Sequence, residues 1–301
     1  MKQSRQVEFT PEQQFYQSYS AAEDKERTNV HYEQPVEFFY TVTGGRWNVY
    51  SSNVYDGATT NTEAQEAKLD RMAAHMGLKA GSRILDVGCG WGGPLTYLCK
   101  KYGAVGVGLT LSSSQKKAAE ARAEREGVTI EIHEMHWRDY VDTGDGFDAV
   151  YTDEVIVHFN DLGGFFVKAF EVLRPGGVMV NKELHYTHPS YSEMTRGLSL
   201  INEIYGSTGN YRPLAEELKL ANDAGFEVQR IDQIPLVHYR QTMEDWVSNM
   251  WNARAQLEEM VGREYFRRFR AYLKMCLQIF RGKTMTLDII VSRKPTAGDT
   301  P

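Results

Sequence analysis

The chain has little cysteine and no long apolar segment. Its 301 residues include three cysteines, Cys89, Cys99 and Cys276, without the spacing typical of metal sites. We therefore expect reduced thiols, a cytoplasmic location and no metal bound by the protein. No apolar run is long enough for a spanning helix, and residues 1–20 lack the apolar core of a signal peptide. These absences argue against an integral membrane protein and against export.

Runs of lysine and arginine are also missing. The formal net charge is −6 at pH 7, which argues against duplex nucleic acid as a partner. The chain is 42% hydrophobic and has the length of one α/β catalytic domain with helical additions, rather than of two independent folds.

The most informative segment is 84–93, ILDVGCGWGG, where an apolar strand runs into four glycines. Because glycine has no Cβ, such a turn bends sharply and brings its N–H groups close to a ligand. Asp86 lies inside the apolar strand, where an unpaired carboxylate is costly, so we expect it to orient the turn or a cationic part of the ligand. The order D-x-G-x-G-x-G matches neither the P-loop nor G-x-G-x-x-G. Taken alone, it fits a ligand site or a structural turn equally.

Further apolar segments predict an α/β fold with a Rossmann-like, seven-stranded sheet. After the first strand, we predict strands within 104–112, 130–139, 147–154, 171–180, 226–231 and 285–291, the last of them antiparallel. The fourth strand ends in carboxylates, at the edge where open α/β sheets bind ligands.

The rest of the chain is predicted to be helical around this sheet. We expect an N-terminal arm and helical cap over 1–80, with a helix from Thr62 to Met76 capped by Asn61 or Thr62. Residues 81–301 form the ligand-binding domain, with helical lid insertions at about 186–222 and 241–280.

Several of these segments resemble one enzyme family. The glycine turn is similar to motif I of class I S-adenosylmethionine-dependent methyltransferases, and the resemblance to the cyclopropane fatty acid synthase branch extends over about 31–295. It is carried by His31-Tyr32, Phe38-Phe39, Tyr50-Ser51, Glu63-Ala64-Gln65-x-x-Lys68, Gly108-Leu109-Thr110-Leu111-Ser112 and Phe280-Arg281-Gly282. The resemblance implies a class I methyltransferase fold that binds S-adenosylmethionine.

The resemblance also implies the residues that hold this cofactor. Thr110 stands where most nucleoside binders have an acid for the ribose, Trp137 flanks the adenine, and Tyr50 and Ser51 cover the cofactor. The full predicted set is Tyr50, Ser51, Asp86, Gly88, Gly90, Thr110, Leu111, Gln115 and Trp137.

The chain departs from the cyclopropane synthases at their bicarbonate site. Those enzymes hold the ion with a Cys after Tyr-Ser, a Glu before a His, a His on the fifth strand and a late Tyr. Here Ser52, Val157 and Lys182 replace the first three, and only Tyr239 remains. An anion site built from these residues would be a different one.

The loop after the fourth strand instead resembles those of sterol and prenyl diphosphate C-methyltransferases. That resemblance implies C-methylation of an alkene in an isoprenoid or lipid-like small molecule, through a carbocation that Glu154 stabilises. We name Glu154, His158, Tyr239 and Glu183 as catalytic residues. For His158 a capping or core role is the alternative, and for Glu183 an ion pair with Lys182.

Other functions stay open at this point. They are N- or O-methylation of a small metabolite, cyclopropane fatty acid synthesis, and S-adenosylmethionine binding without catalysis. Mg²⁺ would enter only with a diphosphate substrate, for which four basic residues form either a pocket or scattered surface charge: Lys182, Arg212, Arg240 and Arg254. The amphipathic stretch 257–279 would touch an anionic membrane if the acceptor were a phospholipid. A homo-oligomer is possible.

Overall fold

A computed structural model describes residues 20–32, 34–188, 191, 210–279, 284–296 and 298. In this part of the chain one mixed sheet runs in the order β3-β2-β1-β4-β5-β8-β7, with β6 beside β5. The strands are β1 (Arg83–Val87), β2 (Val105–Thr110), β3 (Ile130–Glu134), β4 (Phe147–Asp153), β5 (Leu173–Tyr186), β6 (Arg212–Pro213), β7 (Glu227–Ile234) and β8 (Met285–Arg293).

The sheet confirms the predicted α/β fold. Strands β1 to β5 pair in parallel, and β8 runs antiparallel to both β5 and β7. All seven predicted strands are present, and the two-residue β6, which pairs with β5 at His185 and Tyr186, is an addition. Because β1 to β4 are parallel, their carboxyl ends meet at one edge.

Helices cover both faces of the sheet. They are α1 (Ala21–Tyr32), α2 (Val36–Thr43), α3 (Asn61–Met76), α4 (Gly93–Tyr102), α5 (Ser113–Glu126), α6 (Leu162–Val172), α7 (Leu214–Asp223), α8 (Leu236–Asn252), α9 (Arg254–Val261) and α10 (Arg263–Ile279). The predicted helical stretch 241–280 contains most of α8 and all of α9 and α10. Most of the stretch 186–222 lies outside the described residues, and so does the Phe280-Arg281-Gly282 segment. None of the described helices has the length and apolarity needed to cross a bilayer.

The cap of α3 is Thr60, so the prediction of Asn61 or Thr62 was wrong by one or two residues. Thr60 has extended backbone angles, and its hydroxyl accepts a hydrogen bond from the Glu63 amide while the Glu63 carboxylate accepts one from the Thr60 amide. This capping box satisfies two amides at the start of the helix and contributes about 1 kcal/mol.

The core has one apolar cluster on each face of the sheet. Neighbouring residues of β1 point to opposite faces, so Ile84 belongs to the cluster with α2, α3, α4, α8 and α10, whereas Leu85 belongs to the cluster with α6 and α7. The bend between α2 and α3 also lies directly on the glycine turn, because a Cβ at Gly93 would stand 1.9 Å from the Trp47 carbonyl oxygen. Only glycine permits this contact, which brings residues 47–52 to the ligand-binding edge.

Three buried ionisable side chains join β5, α7 and β8. His185 Nε2 lies 2.6 Å from Glu217 Oε2, and His185 Nδ1 lies 3.0 Å from Asp288 Oδ2. All three residues are at most 1% exposed. Burial by itself would lower the pKa of His185, but the charges and hydrogen bonds of Glu217 and Asp288 outweigh burial and raise it from 6.5 to about 10.

We expect this cluster to make stability depend on pH in the alkaline range. The pKa of His185 is raised in the folded state, so its contribution is complete below pH 6.5 and is lost as pH rises through about 10. Between these values the free energy of unfolding should fall by about 1.4 kcal/mol per pH unit for this proton. Urea unfolding at pH 7 and pH 9 should show this slope in the wild type and a smaller one in His185→Gln. A variant of the exposed His188, His188→Gln, is the matched control, and equal slopes in all three proteins would contradict the assignment.

Candidate functional site

A deep cleft opens at the carboxyl edge of β1, β2, β3 and β4. Its empty space, including the part open to solvent, is about 1340 Å³. The structure brings all nine predicted cofactor residues together in its lining: Tyr50, Ser51, Asp86, Gly88, Gly90, Thr110, Leu111, Gln115 and Trp137. Glu154 and His158 also line it, whereas Glu183 and Tyr239 do not.

Gly88 and Gly90 of the turn need the absence of a side chain for different physical reasons. Both have left-handed backbone angles, with φ of +86° at Gly88 and +51° at Gly90. A Cβ at Gly88 would lie 2.6 Å from Cγ1 of Val155, whereas a Cβ at Gly90 would meet nothing within 4 Å. Gly88 therefore permits close packing inside the protein, and Gly90 borders the open space of the cleft.

Asp86 is buried at the bottom of the cleft. Its Oδ2 accepts a hydrogen bond of 2.6 Å from the Tyr151 hydroxyl. Burial raises the pKa of Asp86 to about 7, with a further contribution from the charge of Asp153, while the Tyr151 hydrogen bond opposes this shift.

At the end of β2, Thr110 orients Gln115. The Thr110 hydroxyl donates to Gln115 Oε1 over 2.6 Å, so the amide nitrogen of Gln115 is the end that can donate to a ligand hydroxyl. Trp137 lies across the cleft, 6% exposed, in ring contact with Phe159 and Phe165, and its buried Nε1 has no partner within the described residues.

Asp153 is a lining residue that sequence reasoning missed. Its Oδ2 accepts hydrogen bonds from the fully buried Lys68 of α3 and from the Ser51 hydroxyl, and its Oδ1 lies 3.1 Å from the Nζ of Lys182, which is also fully buried. Burial would raise the pKa of Asp153, but the charges of Lys182 and Lys68 outweigh it and lower the pKa to about 2. The available signal was Lys68, a lysine among the buried positions of α3.

Burial dominates at Lys68. It lowers the pKa of this lysine to about 8, although Asp153 favours the charged form. At Lys182 the balance is reversed, because Asp153 and Glu154 outweigh burial and raise the pKa.

Glu154 is the next residue along the chain, and one oxygen of its carboxylate is held by hydrogen bonds. Its Oε1 accepts hydrogen bonds from the Ser52 amide, at 2.8 Å, from the Ser52 hydroxyl and from Lys182 Nζ. No group of the described residues donates to Oε2. The backbone of Glu154 has a left-handed φ of 57°, which a non-glycine residue adopts at a cost of about 1–3 kcal/mol.

Three further predicted catalytic residues surround Glu154 at different depths. His158 is half-buried in the lining, in a short 3₁₀ turn, Ile156–His158. Glu183 and Tyr239 are buried behind the lining. Burial, followed by the charge of Glu154, raises the pKa of Glu183 to about 8, and burial raises the pKa of Tyr239 well above its ordinary value.

Lys182 does not pair with Glu183, so that alternative was wrong. The two residues are adjacent in β5 and their side chains point to opposite faces. Lys182 contacts Asp153 and Glu154, whereas Glu183 accepts hydrogen bonds from the amides of Val157 and Leu184.

Three of the four basic residues considered for a diphosphate are engaged elsewhere, and the fourth, Arg240, does not line the cleft. Buried Arg212 donates to the carbonyl oxygens of Asn210 and Phe159, and Arg254 pairs with Glu258 at 2.7 Å. Lys182 is paired with Asp153 and Glu154. These three basic residues therefore do not form a pocket for an anion.

A further buried cation, Arg122 of α5, joins the bend to the glycine turn. Its guanidinium donates to the carbonyl oxygens of Trp91 and Arg46 and, over 2.7 Å, to Asn48 Oδ1. Asn48 and Trp91 line the cleft, and Asn48 has a left-handed φ of 48°. Arg122 therefore fixes two walls of the cleft relative to each other, a role that the sequence did not suggest.

Comparison with known proteins identifies the family. The model of the mycolic acid cyclopropane synthetase family matches residues 19–290. A probable fatty acid methyltransferase of Pseudomonas putida is 28% identical over 93% of this chain and 72% of its own length. A sphingolipid C9-methyltransferase of Candida albicans is 26% identical over 92% of this chain, which spans 56% of that protein.

Solved structures agree with the fold. The cyclopropane synthase MmaA2 of Mycobacterium tuberculosis superposes with a TM-score of 0.82 at 22% identity, covering 90% of this chain and 98% of that one. The match of the family model over nearly the whole chain confirms the predicted fold, enzyme class and cofactor. The chain belongs to the mycolic acid cyclopropane synthetase family and is an S-adenosylmethionine-dependent methyltransferase.

Proposed function

We propose that this enzyme methylates an alkene carbon of a lipid-like acceptor and that Glu154 is its catalytic carboxylate. The observation that carries the proposal is the geometry of Glu154, whose Oε1 is held by Ser52 and Lys182 while Oε2 has no donor in the described part of the chain. A carboxylate fixed in this way at the lining of the cleft is placed to face a positive charge.

The proposed cofactor site is the set of nine lining residues predicted from the sequence. Its chemistry fits S-adenosylmethionine, because Gly90 leaves open space beside the backbone and three carboxylates line the cleft, Asp86, Asp153 and Glu154. The cofactor supplies an electrophilic methyl group on a positively charged sulfur. Gln115, oriented by Thr110, is placed to donate to a ribose hydroxyl, and Trp137 to stack on the adenine.

The proposed reaction leaves a charge that the protein must manage. The π electrons of the alkene form the new bond to the methyl carbon while the bond from that carbon to sulfur breaks; its electrons stay on sulfur, which leaves as a neutral thioether, and the neighbouring alkene carbon becomes positively charged. Glu154 stabilises this charge and then accepts the proton whose loss forms a new double bond or closes a ring. The aromatic lining residues Tyr50 and Trp91, with ring centroids 5.8 Å apart, add about 2 kcal/mol or more when they face a desolvated cation.

The surroundings of Glu154 suit a base. Lys182 and Ser52 hold its carboxylate in one orientation. Glu183, with a pKa raised to about 8, is mainly protonated at pH 7. We propose that His158 passes the proton to solvent and that Glu183 and Tyr239 support Glu154 from behind the lining.

A lipid-like acceptor is favoured over an anionic one. Carboxylates line the cleft, three of the four basic residues that could bind a diphosphate are paired with other groups, and Arg240 is not part of the lining. The relatives act, by their names, on fatty acids and sphingolipids.

The test is incubation with methyl-labelled cofactor and separate acceptors: unsaturated phospholipids, sphingolipids, sterols, prenyl diphosphates and amines. Label on an alkene-derived carbon of a lipid, located by NMR, supports the proposal and separates a branched product from a cyclopropane ring. Label on nitrogen or oxygen, or cofactor binding without any product, overturns it.

The first prediction from this proposal concerns the glycine turn. Gly90→Val places a side chain in the open space of the cleft, so we expect cofactor affinity in calorimetry to fall by at least about tenfold. Gly127 is a matched control, because it also has a left-handed φ, of +68°, and open space around it, but it ends α5 away from the cleft. Gly127→Val should be equally strained and bind normally, and unchanged binding by Gly90→Val would contradict the site.

A second prediction concerns Arg122 as a positioning residue. Arg122→Met should raise KM for S-adenosylmethionine more than it lowers kcat, since it frees the bend and the glycine turn without touching the reacting atoms. Arg122→Lys should restore part of the loss, and Arg125→Met, at an exposed position of the same helix, should behave as wild type. A fall in kcat alone would refute the positioning role.

The third prediction tests Glu154 itself. Glu154→Gln keeps the size of the side chain but removes its charge, so turnover should fall by about 10²–10⁴-fold while cofactor affinity is retained. Glu154→Asp keeps the charge on a side chain that is one methylene shorter. Its activity should lie between that of the wild type and that of Glu154→Gln. Glu131→Gln, an exposed acid on β3, serves as control, and full activity in Glu154→Gln would remove this residue from the mechanism.

A further inference from the structure

We infer that the outer face of α10, together with Trp251, is a docking surface for an anionic lipid bilayer. The inference rests on the proposed function, because it assigns where a lipid acceptor would reach the enzyme.

The charge of this region is opposite to that of the whole chain. Residues 254–279 contain six Lys or Arg and three Glu, a net charge of +3, which leaves −9 for the rest of a chain whose total is −6. A chain that is acidic overall thus gathers positive charge on α10, whose five Lys or Arg and one Glu give +4, whereas α9 has one Arg and two Glu.

The basic residues of α10 form one stripe. Arg263, Arg267, Arg270 and Lys274 are spaced by four, three and four residues, so they lie on the same side of the helix. Arg263, Arg267 and Lys274 are exposed, and neither Arg267 nor Lys274 has a carboxylate within 4 Å in the described part of the chain. A different side of the helix is buried through Phe266, Phe269, Leu273 and Cys276.

Trp251 lies at this stripe. It is 51% exposed, and the guanidinium groups of Arg270 and Arg254 lie 4.7 and 5.2 Å from its ring centroid. Exposed Trp beside Arg is typical of the boundary between water and lipid headgroups, where the ring is half-inserted and the cations meet phosphates. The ring favours a bilayer over an acidic protein as the occupant.

The stripe is on the outside of a helix whose inside leads to the cleft. Phe269 of α10 has ring contact with Phe39, at 6.4 Å, and Phe39 with Tyr50, at 5.5 Å. Tyr50 lines the cleft. A lipid that leaves a bilayer at this surface is therefore one apolar layer away from the proposed acceptor site.

The test is vesicle flotation of the full chain with phosphatidylcholine alone and with phosphatidylcholine containing phosphatidylglycerol. We expect at least about tenfold tighter binding to the anionic vesicles, lost at high salt, because each basic residue near such a surface adds to the attraction and salt screens it. The triple variant Arg263→Glu, Arg267→Glu, Lys274→Glu should lose this preference. The control triple variant Lys117→Glu, Arg125→Glu, Arg230→Glu makes the same charge change at exposed positions elsewhere and should keep it.

Trp251→Ala should weaken binding to anionic vesicles severalfold with the charge unchanged. Equal binding by the two triple variants, equal binding to both vesicle types, or binding to an acidic carrier protein without vesicle binding would overturn the inference. Turnover of a detergent-dispersed acceptor separates this inference from the proposed function. The stripe variant should retain that turnover. If the wild type methylates no lipid, the proposed function is rejected, and the vesicle measurement alone then decides the docking surface.

Discussion

The site depends on two buried lysines and the two partly exposed carboxylates that pair with them, where the cap meets the sheet. Lys68 comes from the cap, Asp153 and Glu154 from the end of β4, and Lys182 from β5. Removing one partner from a buried ion pair costs about 3–5 kcal/mol, because the other charge stays in a medium that solvates it poorly. The cap is therefore held to the sheet at the edge where the ligand binds, through the same carboxylates that line the cleft. This arrangement joins folding of the cap to formation of the site.

The two lysines are not equivalent in this cluster. Burial lowers the pKa of Lys68 to about 8, whereas the two carboxylates raise the pKa of Lys182. Lys182 thus provides the permanent positive charge beside Glu154. Glu183, on the other face of β5, pairs with no lysine or arginine in the described part of the chain, and burial, followed by the charge of Glu154, raises its pKa to about 8. Strand alternation thus directs Lys182 towards the proposed base Glu154 and directs Glu183 away from Lys182.

Most of the fold was predictable because its signals are local. Alternation of apolar strands with helices and the glycine turn, read from residues close in sequence, placed all seven main strands. The nine residues that line one cleft were implied for the cofactor by the family resemblance rather than by these local signals. The errors arose where partners are distant. The Lys182–Glu183 pair was wrong because neighbours in a strand face apart, and the true pair follows from the register of β4 and β5, which sets Asp153 opposite Lys182. Arg122 could not be found, because its partners come from two segments far along the chain.

Two residues of the cleft have a strained backbone, and the donors that hold one of them, Glu154, bear on whether an added base is needed. Asn48 and Glu154 are the two non-glycine residues with positive φ in the described part of the chain, and each is held by a buried cation, Arg122 or Lys182. Strain of about 1–3 kcal/mol at each persists only where the surroundings enforce it. At Glu154 the enforcing donors are Ser52 and Lys182, which stand where the resemblance to the cyclopropane synthases implies bicarbonate ligands. Since these donors already bind Oε1, an added anion would have to displace the carboxylate. Catalysis by Glu154 should therefore need no external base.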